Sequence, residues 1–148
     1  MTVSASIDIA ASPADVRAKF LDFASLASYH STFFGSITPL GPLEPGQKIR
    51  VHFARGGQTM DGVIKENTAK AFAWIGSIPY IFTGTHTFLF EPSTTVPGGC
   101  RFTQSEEFSG ALGFLMGENL VARQMGFADK TRKGWEGYNE EFKGWCER

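Results

Sequence analysis

The feature that most constrains this chain is a change of period. Leu112, Met116, Leu120, Arg123, Phe127, Thr131, Gly134, Tyr138, Phe142 and Trp145 are separated by steps of four and three, one helical stripe through the last 37 residues. Before it, the regular stretches repeat every second residue, as half-buried strands do. A one-faced helix and several one-faced strands each need a partner for their apolar side. The pattern therefore predicts an α+β domain, an antiparallel sheet packed on a long C-terminal helix. Ser109 is a candidate N-cap for that helix. A straight helix from 112 to 145 would be about 50 Å long at about 1.5 Å per residue. One small sheet cannot cover that length, so a break or bend is predicted near Gly117–Asn119.

Upstream, Val3, Ala5, Ile7 and Ile9 alternate with Ser4, Ser6 and Asp8, which predicts a first strand. "ASPADVRAKFLDF" follows with Ser12 as N-cap, Pro13 at the first helical position and Val16, Phe20 and Phe23 as apolar stripe. A second short helix is expected over residues 25–30. Then "QKIRVHF" and "TMDGVIKE", joined by "RGGQ", read as a hairpin, and "AKAFAWIG" puts Phe72 and Trp74 on one face. "SIPYIFTG" is less regular, and Pro79 marks an edge, bulge or loop there. "GTHTFLF" and "RFTQSEEF" are two more strands, joined by "EPSTTVPGG". The expected order is strand, two helices, about six strands and one long helix, in a single domain over 1–148 with no repeat or linker.

Several function classes fall away. A net charge of −1 offers no electrostatic footprint for nucleic acid or anionic lipid. No run approaches the roughly 20 apolar residues of a membrane helix, and "MTVSASIDIA" lacks the marks of a secretory signal, so the chain reads as soluble and cytoplasmic. His30, His52 and His86 have no metal-ligand spacing, so no metal is expected; His52, alternating with Val51 and Phe53, should face solvent. Cys100 and Cys146 fit no metal or redox motif; they read as free thiols, able to meet only if the last helix ends beside the seventh strand. There is no G-x-S-x-G elbow, "GALGFLMG" lacks the Lys-Ser/Thr of a phosphate loop, and no cofactor is predicted.

One feature resists a simple core reading. His86 would share a strand face with Phe88 and Phe90, and Gln104 and Glu106 would share one with Phe102 and Phe108. In a symmetric hairpin, positions whose numbers sum to about 192 face each other. His86 would then meet Glu106, and Phe88 would meet Gln104. Buried, the imidazole and carboxylate need one another, because either charge alone would cost several kcal/mol. Three readings stand: a cavity-facing pair, a structural pair that fixes register, or an exposed face with Thr85, Thr87 and Leu89 turned inward.

The stretches "SIDIAASPADVRAKFLDFASLASYHSTF", "FAWIG", "GTHTFLFEP", "CRFTQSEEFSG" and "YNEEFKGWCE" carry a resemblance over essentially the whole chain. Together they resemble the START/SRPBCC helix-grip superfamily, and within it the small single-domain polyketide cyclase/dehydrase proteins. The resemblance implies a strongly curved antiparallel sheet with a cavity between it and the C-terminal helix. It turns the aromatic excess, fourteen Phe with three Trp and three Tyr, toward a pocket wall. Phe72, Trp74, Phe88, Phe90, Phe102, Phe127 and Tyr138 become candidate ligand contacts, with Met60 as an adaptable wall residue. Singly, each is more often core than ligand wall.

Tyr29, His30 and Tyr80 lie in segments that rim the entrance in such folds, or are plain loop residues. Arg123, the one formal charge on the helical stripe, either reaches the cavity to hold a carboxylate, phenolate or enolate, or snorkels at the helix edge. "DKTRK", residues 129–133, reads as a solvated helix face.

Three functions follow from the resemblance. The first is a binding module for a small hydrophobic or aromatic, polyketide-like molecule, oriented by His86, Glu106, Gln104 and Arg123. The second is a cofactor-free cyclase/dehydratase-type enzyme. There His86 or Glu106 is the catalytic acid–base group, and Arg123 or Tyr138 stabilises an enolate. The third is a protein-interaction domain similar to the Hsp90-activator relatives. Enzyme against carrier, and the oligomeric state, stay open at this level.

Overall fold

The structure, a computed structural model, describes residues 2–78, 82–109 and 120–148, with the side chains of 78, 82, 109 and 120–124 left out of that description. Strand β1 (Thr2–Ile9) is followed by helix α1 (Pro13–Leu21) and a short 3₁₀ helix (Phe23–Ser28). Then come β2 (Phe34–Pro39), β3 (Lys48–Phe53), β4 (Thr59–Asn67), β5 (Ala71–Ile78), β6 (Phe82–Pro92) and β7 (Cys100–Ser109), and the chain closes with α2 (Leu120–Cys146). Among the described residues the seven strands form one antiparallel sheet in the order β1-β7-β6-β5-β4-β3-β2, with β1 carried across to pair with β7. Register shifts between Phe34 and Ser36 and between Ile64 and Glu66 mark β-bulges, which sharpen the twist and help the sheet curl. The curled sheet, with α2 packed on it and the short helices after β1, is the helix-grip architecture.

Local chemistry explains the starts and turns. Ser12 Oγ accepts from the Asp15 N–H at 3.1 Å, and Pro13 takes the first helical position, as the sequence predicts. The β3–β4 turn needs left-handed backbone at Gly56 (φ 81°) and Gly57 (φ 65°), which only glycine adopts freely. The β6–β7 register is the symmetric one: His86 lies opposite Glu106 and Phe88 opposite Gln104.

Two strand expectations change. "FGSITP" forms β2, a strand the alternation does not reveal, because its bulge and Pro39 interrupt the pattern. "SIPYIFTG" is not a strand of its own: β5 runs into it as far as Ile78, β6 begins at Phe82, and 79–81 lie outside the described residues. The expected break near Gly117–Asn119 lies outside them too. On α2 the buried set is Thr131, Trp135, Tyr138, Asn139, Phe142 and Cys146. The face toward the sheet is therefore turned slightly from the expected stripe, bringing in Trp135 and Asn139 while Trp145 is only partly buried.

The core is densely aromatic. Phe20 of α1 meets the rings of Phe88 at 4.4 Å, Phe90 at 5.6 Å, Phe72 at 5.9 Å, Phe102 at 6.0 Å and Phe142 at 6.1 Å between centroids. One face of β5, β6 and β7 is thus filled by α1 and the C-terminal half of α2, and the space that remains on it lies toward the other end of the sheet. Cys100 and Cys146 are both free and share this cluster; burial pushes their thiols up to about 11 and about 12.

Candidate functional site: a cavity floored by a histidine–glutamate pair

At that other end lies a cavity of about 690 Å³, inside the usual range for small-molecule sites. Its walls come from the residues before β2 (Thr32, Phe33), the β3–β4 hairpin (Phe53, Arg55, Gln58, Met60), and Trp74, His86, Glu106 and Phe108 on β5, β6 and β7. Helix α2 closes the remaining side with Phe127, Thr131, Gly134 and Trp135. The approach of helix and loop is close: a Cβ on Gly134 would sit 2.5 Å from the Phe33 ring.

His86 and Glu106 are 3 % and 7 % exposed, with His86 Nδ1 3.0 Å from Glu106 Oε2. The imidazole is fixed on every side. It stacks on Phe88 at 4.2 Å with an 11° interplanar angle, and Trp135 and Trp74 lie at 4.8 and 5.2 Å. Behind it, His86 Nε2 meets Gln104 Oε1 at 3.0 Å, and Gln104 Nε2 donates to Asn139 Oδ1 at 2.8 Å. An amide oxygen only accepts, so His86 Nε2 must carry a hydrogen. His86 Nδ1 then stands 3.0 Å from Glu106 Oε2, close but without the alignment of a hydrogen bond. The pair is thus a buried imidazole–carboxylate contact facing a cavity, with the imidazole braced by Gln104 and Asn139. Asn139 Nδ2 and Trp135 Nε1 find no acceptor among the described residues.

The candidate residues divide between two environments. Met60, Trp74, His86, Glu106 and Phe127 line the cavity. Phe72, Phe88, Phe90, Phe102 and Tyr138 are buried in the main core cluster, and Gln104 stands behind His86, so these six back the wall and do not form it. Arg123 lies on α2, but its side chain falls outside the described residues, as does Tyr80 altogether. "DKTRK" is mostly a solvated face: Asp129 pairs with Lys133 at 3.0 Å, while Thr131 turns inward. His52 lies at the outer side and contacts Thr59 Oγ1 at 3.0 Å.

His30 and Tyr29 do not rim the entrance. His30 is buried: its Nε2 accepts the backbone N–H groups of Phe33 at 3.1 Å and Phe34 at 3.0 Å, so Nδ1 donates to Glu141 Oε1 at 3.1 Å. Burial holds its pKa below the usual imidazole value, against the opposing pull of Glu141. It is a brace that places Phe33 on the cavity wall. Tyr29 and Tyr138 share a 3.1 Å hydroxyl contact, and burial raises both phenols.

The family described as polyketide cyclase / dehydrase and lipid transport matches residues 1–134. The chain belongs to that family. Members of this SRPBCC group bind hydrophobic ligands in a cavity. Among solved structures, the Zhui aromatase/cyclase from Streptomyces sp. R1128 is similar with a TM-score of 0.72 and 15 % identity, over 100 % of this chain and 94 % of that one. A hypothetical protein from Helicobacter pylori gives 0.75 and 14 % identity, over 100 % and 88 %. Ara h 8.0201 gives 0.69 and 14 % identity, over 99 % and 97 %. At such identities the likeness establishes the fold alone. No curated protein matches the sequence.

Reading the sequence leaves out Trp135 and Asn139, although both sit at helical spacing from Thr131, Tyr138 and Phe142. Phe33 and Arg55 come from loops, where no periodic signal exists, while Phe53 ends the β3 alternation that the sequence does show. Among the described residues no group of three or more His, Cys, Asp or Glu is placed to hold a metal ion, and no helix is long and apolar enough to cross a membrane.

Proposed function

We propose that the protein binds one small, flat hydrophobic molecule in the 690 Å³ cavity, with a polar group of that molecule set against His86 and Glu106. The observation that carries this reading is a buried imidazole–carboxylate pair at the wall of a cavity that six phenylalanine and tryptophan side chains help to line. Met60, Trp74 and Phe127 form walls for an aromatic or polyketide-like body, and Gln104 and Asn139 hold the imidazole in one orientation. Native mass spectrometry of protein purified without denaturant tests it, with Thr131→Phe as a variant that fills the cavity. A bound or added aromatic should raise the mass of the wild type and not of the variant. A clean apo mass, with no uptake from a panel of hydrophobic compounds, would count against the cavity as a site.

The 3.0 Å approach of His86 Nδ1 to Glu106 Oε2 at the cavity wall favours a second reading, cofactor-free acid–base chemistry of the cyclase/dehydratase type. One member of the pair takes a proton alpha to a ligand carbonyl and returns it elsewhere. Deuterium uptake from solvent into the methyl group of 2-acetonaphthone tests this. The enzyme reading requires uptake faster than in buffer and lost in His86→Gln; a carrier binds the ketone without exchange.

A further inference from the structure

Among the described residues the buried Glu106 carboxylate has a single polar partner. Its one close polar contact is Oε2 to His86 Nδ1, and among the described residues it accepts no well-aligned hydrogen bond. His30 and Glu141 do form an aligned bond. A buried polar group ordinarily has at least one well-made hydrogen bond, and a carboxylate can accept two or three. Glu106 is not sealed away either: the solvent-sealed orphan atoms are Trp135 Nε1 and Asn139 Nδ2, and Glu106 lines the cavity. The facing strand also makes room for it. Gly84 on β6 has no side chain, and a Cβ there would lie 2.6 Å from Glu106 Oε1.

We infer that Glu106 Oε1, resting over Gly84, is the acceptor for a neutral hydroxyl of the ligand, so that the cavity selects phenols and enols over their ethers. This deepens the cavity reading above and rests on it. The neutral donor follows from the charges around the cavity. Arg55, Lys130 and Lys133 line it against Asp129 and Glu106, so the lining carries one more positive than negative charge even with Glu106 ionised. That surplus of positive charge disfavours an ammonium donor, whereas a hydroxyl bears no such penalty. Trp74 and Trp135, both packed against the His86 ring and both lining the cavity, suit a flat ring that carries the hydroxyl at its edge.

The test is calorimetric binding at pH 7 of 2-naphthol, 2-methoxynaphthalene and 2-(aminomethyl)naphthalene. The wild type should prefer 2-naphthol over its methyl ether by about tenfold, the scale of one hydrogen bond to a charged acceptor. Glu106→Gln should shrink that preference to about threefold or less, and Gly84→Ala, which displaces Oε1, should shrink it in the same direction. Equal affinity for naphthol and its ether in the wild type overturns the inference, as does a preference that survives in Glu106→Gln. So does tighter binding of the amine. The ligand comparison needs no substitution, so it stands even where a variant fails to fold. Binding of none of the three overturns the cavity reading itself, and this assignment with it.

Discussion

Gln104→Leu isolates what braces the imidazole. Gln104 is fully buried, and its amide bridges His86 Nε2 at 3.0 Å and Asn139 Oδ1 at 2.8 Å. Leucine keeps most of the volume and removes both bonds. It leaves the His86 N–H and the Asn139 oxygen without partners, beside an Asn139 Nδ2 that already lacks one. An unmet buried polar group costs about 1–3 kcal/mol, and the more apolar side chain offsets part of that. The net loss should be about 3 kcal/mol, or roughly 6–12 °C in Tm for a domain of this size. Urea denaturation read by tryptophan fluorescence measures it. The double variant Gln104→Leu/Asn139→Leu should recover part of the loss, since it deletes two of the stranded groups at once. A cost for Gln104→Leu below about 1 kcal/mol, or strictly additive costs in the double variant, would refute the claim that this amide pair holds the ring.

Three further predictions concern the scaffold. His30 has a folded pKa below its unfolded value of about 6.5, so its stabilising neutral form is complete above that pH and lost as pH falls through the folded value. Denaturation midpoints should therefore drop between neutral pH and about pH 5, and His30→Gln should flatten that part of the profile; a wild-type midpoint constant over the range contradicts it. Phe20→Ala should destabilise by about 3–5 kcal/mol, because five core rings lose their common neighbour, and a urea midpoint within error of wild type would show the core to be looser than described. Cys100 and Cys146, with thiols pushed up to about 11 and about 12, should react with iodoacetamide at pH 8 far more slowly than free cysteine, and labelling as fast as the free thiol speaks against their burial.

How much of this could be read from residues alone depends on the kind of signal. The helix after Ser12 and the pairing of His86 with Glu106 rest on short-range rules, capping and hairpin symmetry, and both are visible in sequence. The β2 strand is not, because a bulge at Phe34–Ser36 breaks the alternation that announces strands. The aromatic set shows the opposite problem. Phe72, Phe88 and Phe90 share a face with Trp74 and His86, but face does not tell how far along the strand α1 reaches to fill the space. Phe20 decides that, through contacts between distant parts of the chain. His30 was opaque for another reason: its partners are the backbone N–H groups of Phe33 and Phe34, which no side-chain pattern encodes. Trp135 and Asn139 were within reach of the helical period, one step round the helix from the expected stripe.

The central claim is that a ligand meets the His86–Glu106 pair inside the cavity. Ring ¹⁵N spectra of the three histidines, recorded while 2-naphthol is added, test it most directly. The account predicts that the His86 nitrogens shift in proportion to occupancy while those of His52, on the outer side, stay still. Saturable binding with His86 unmoved, or with His52 moving in its place, would contradict it.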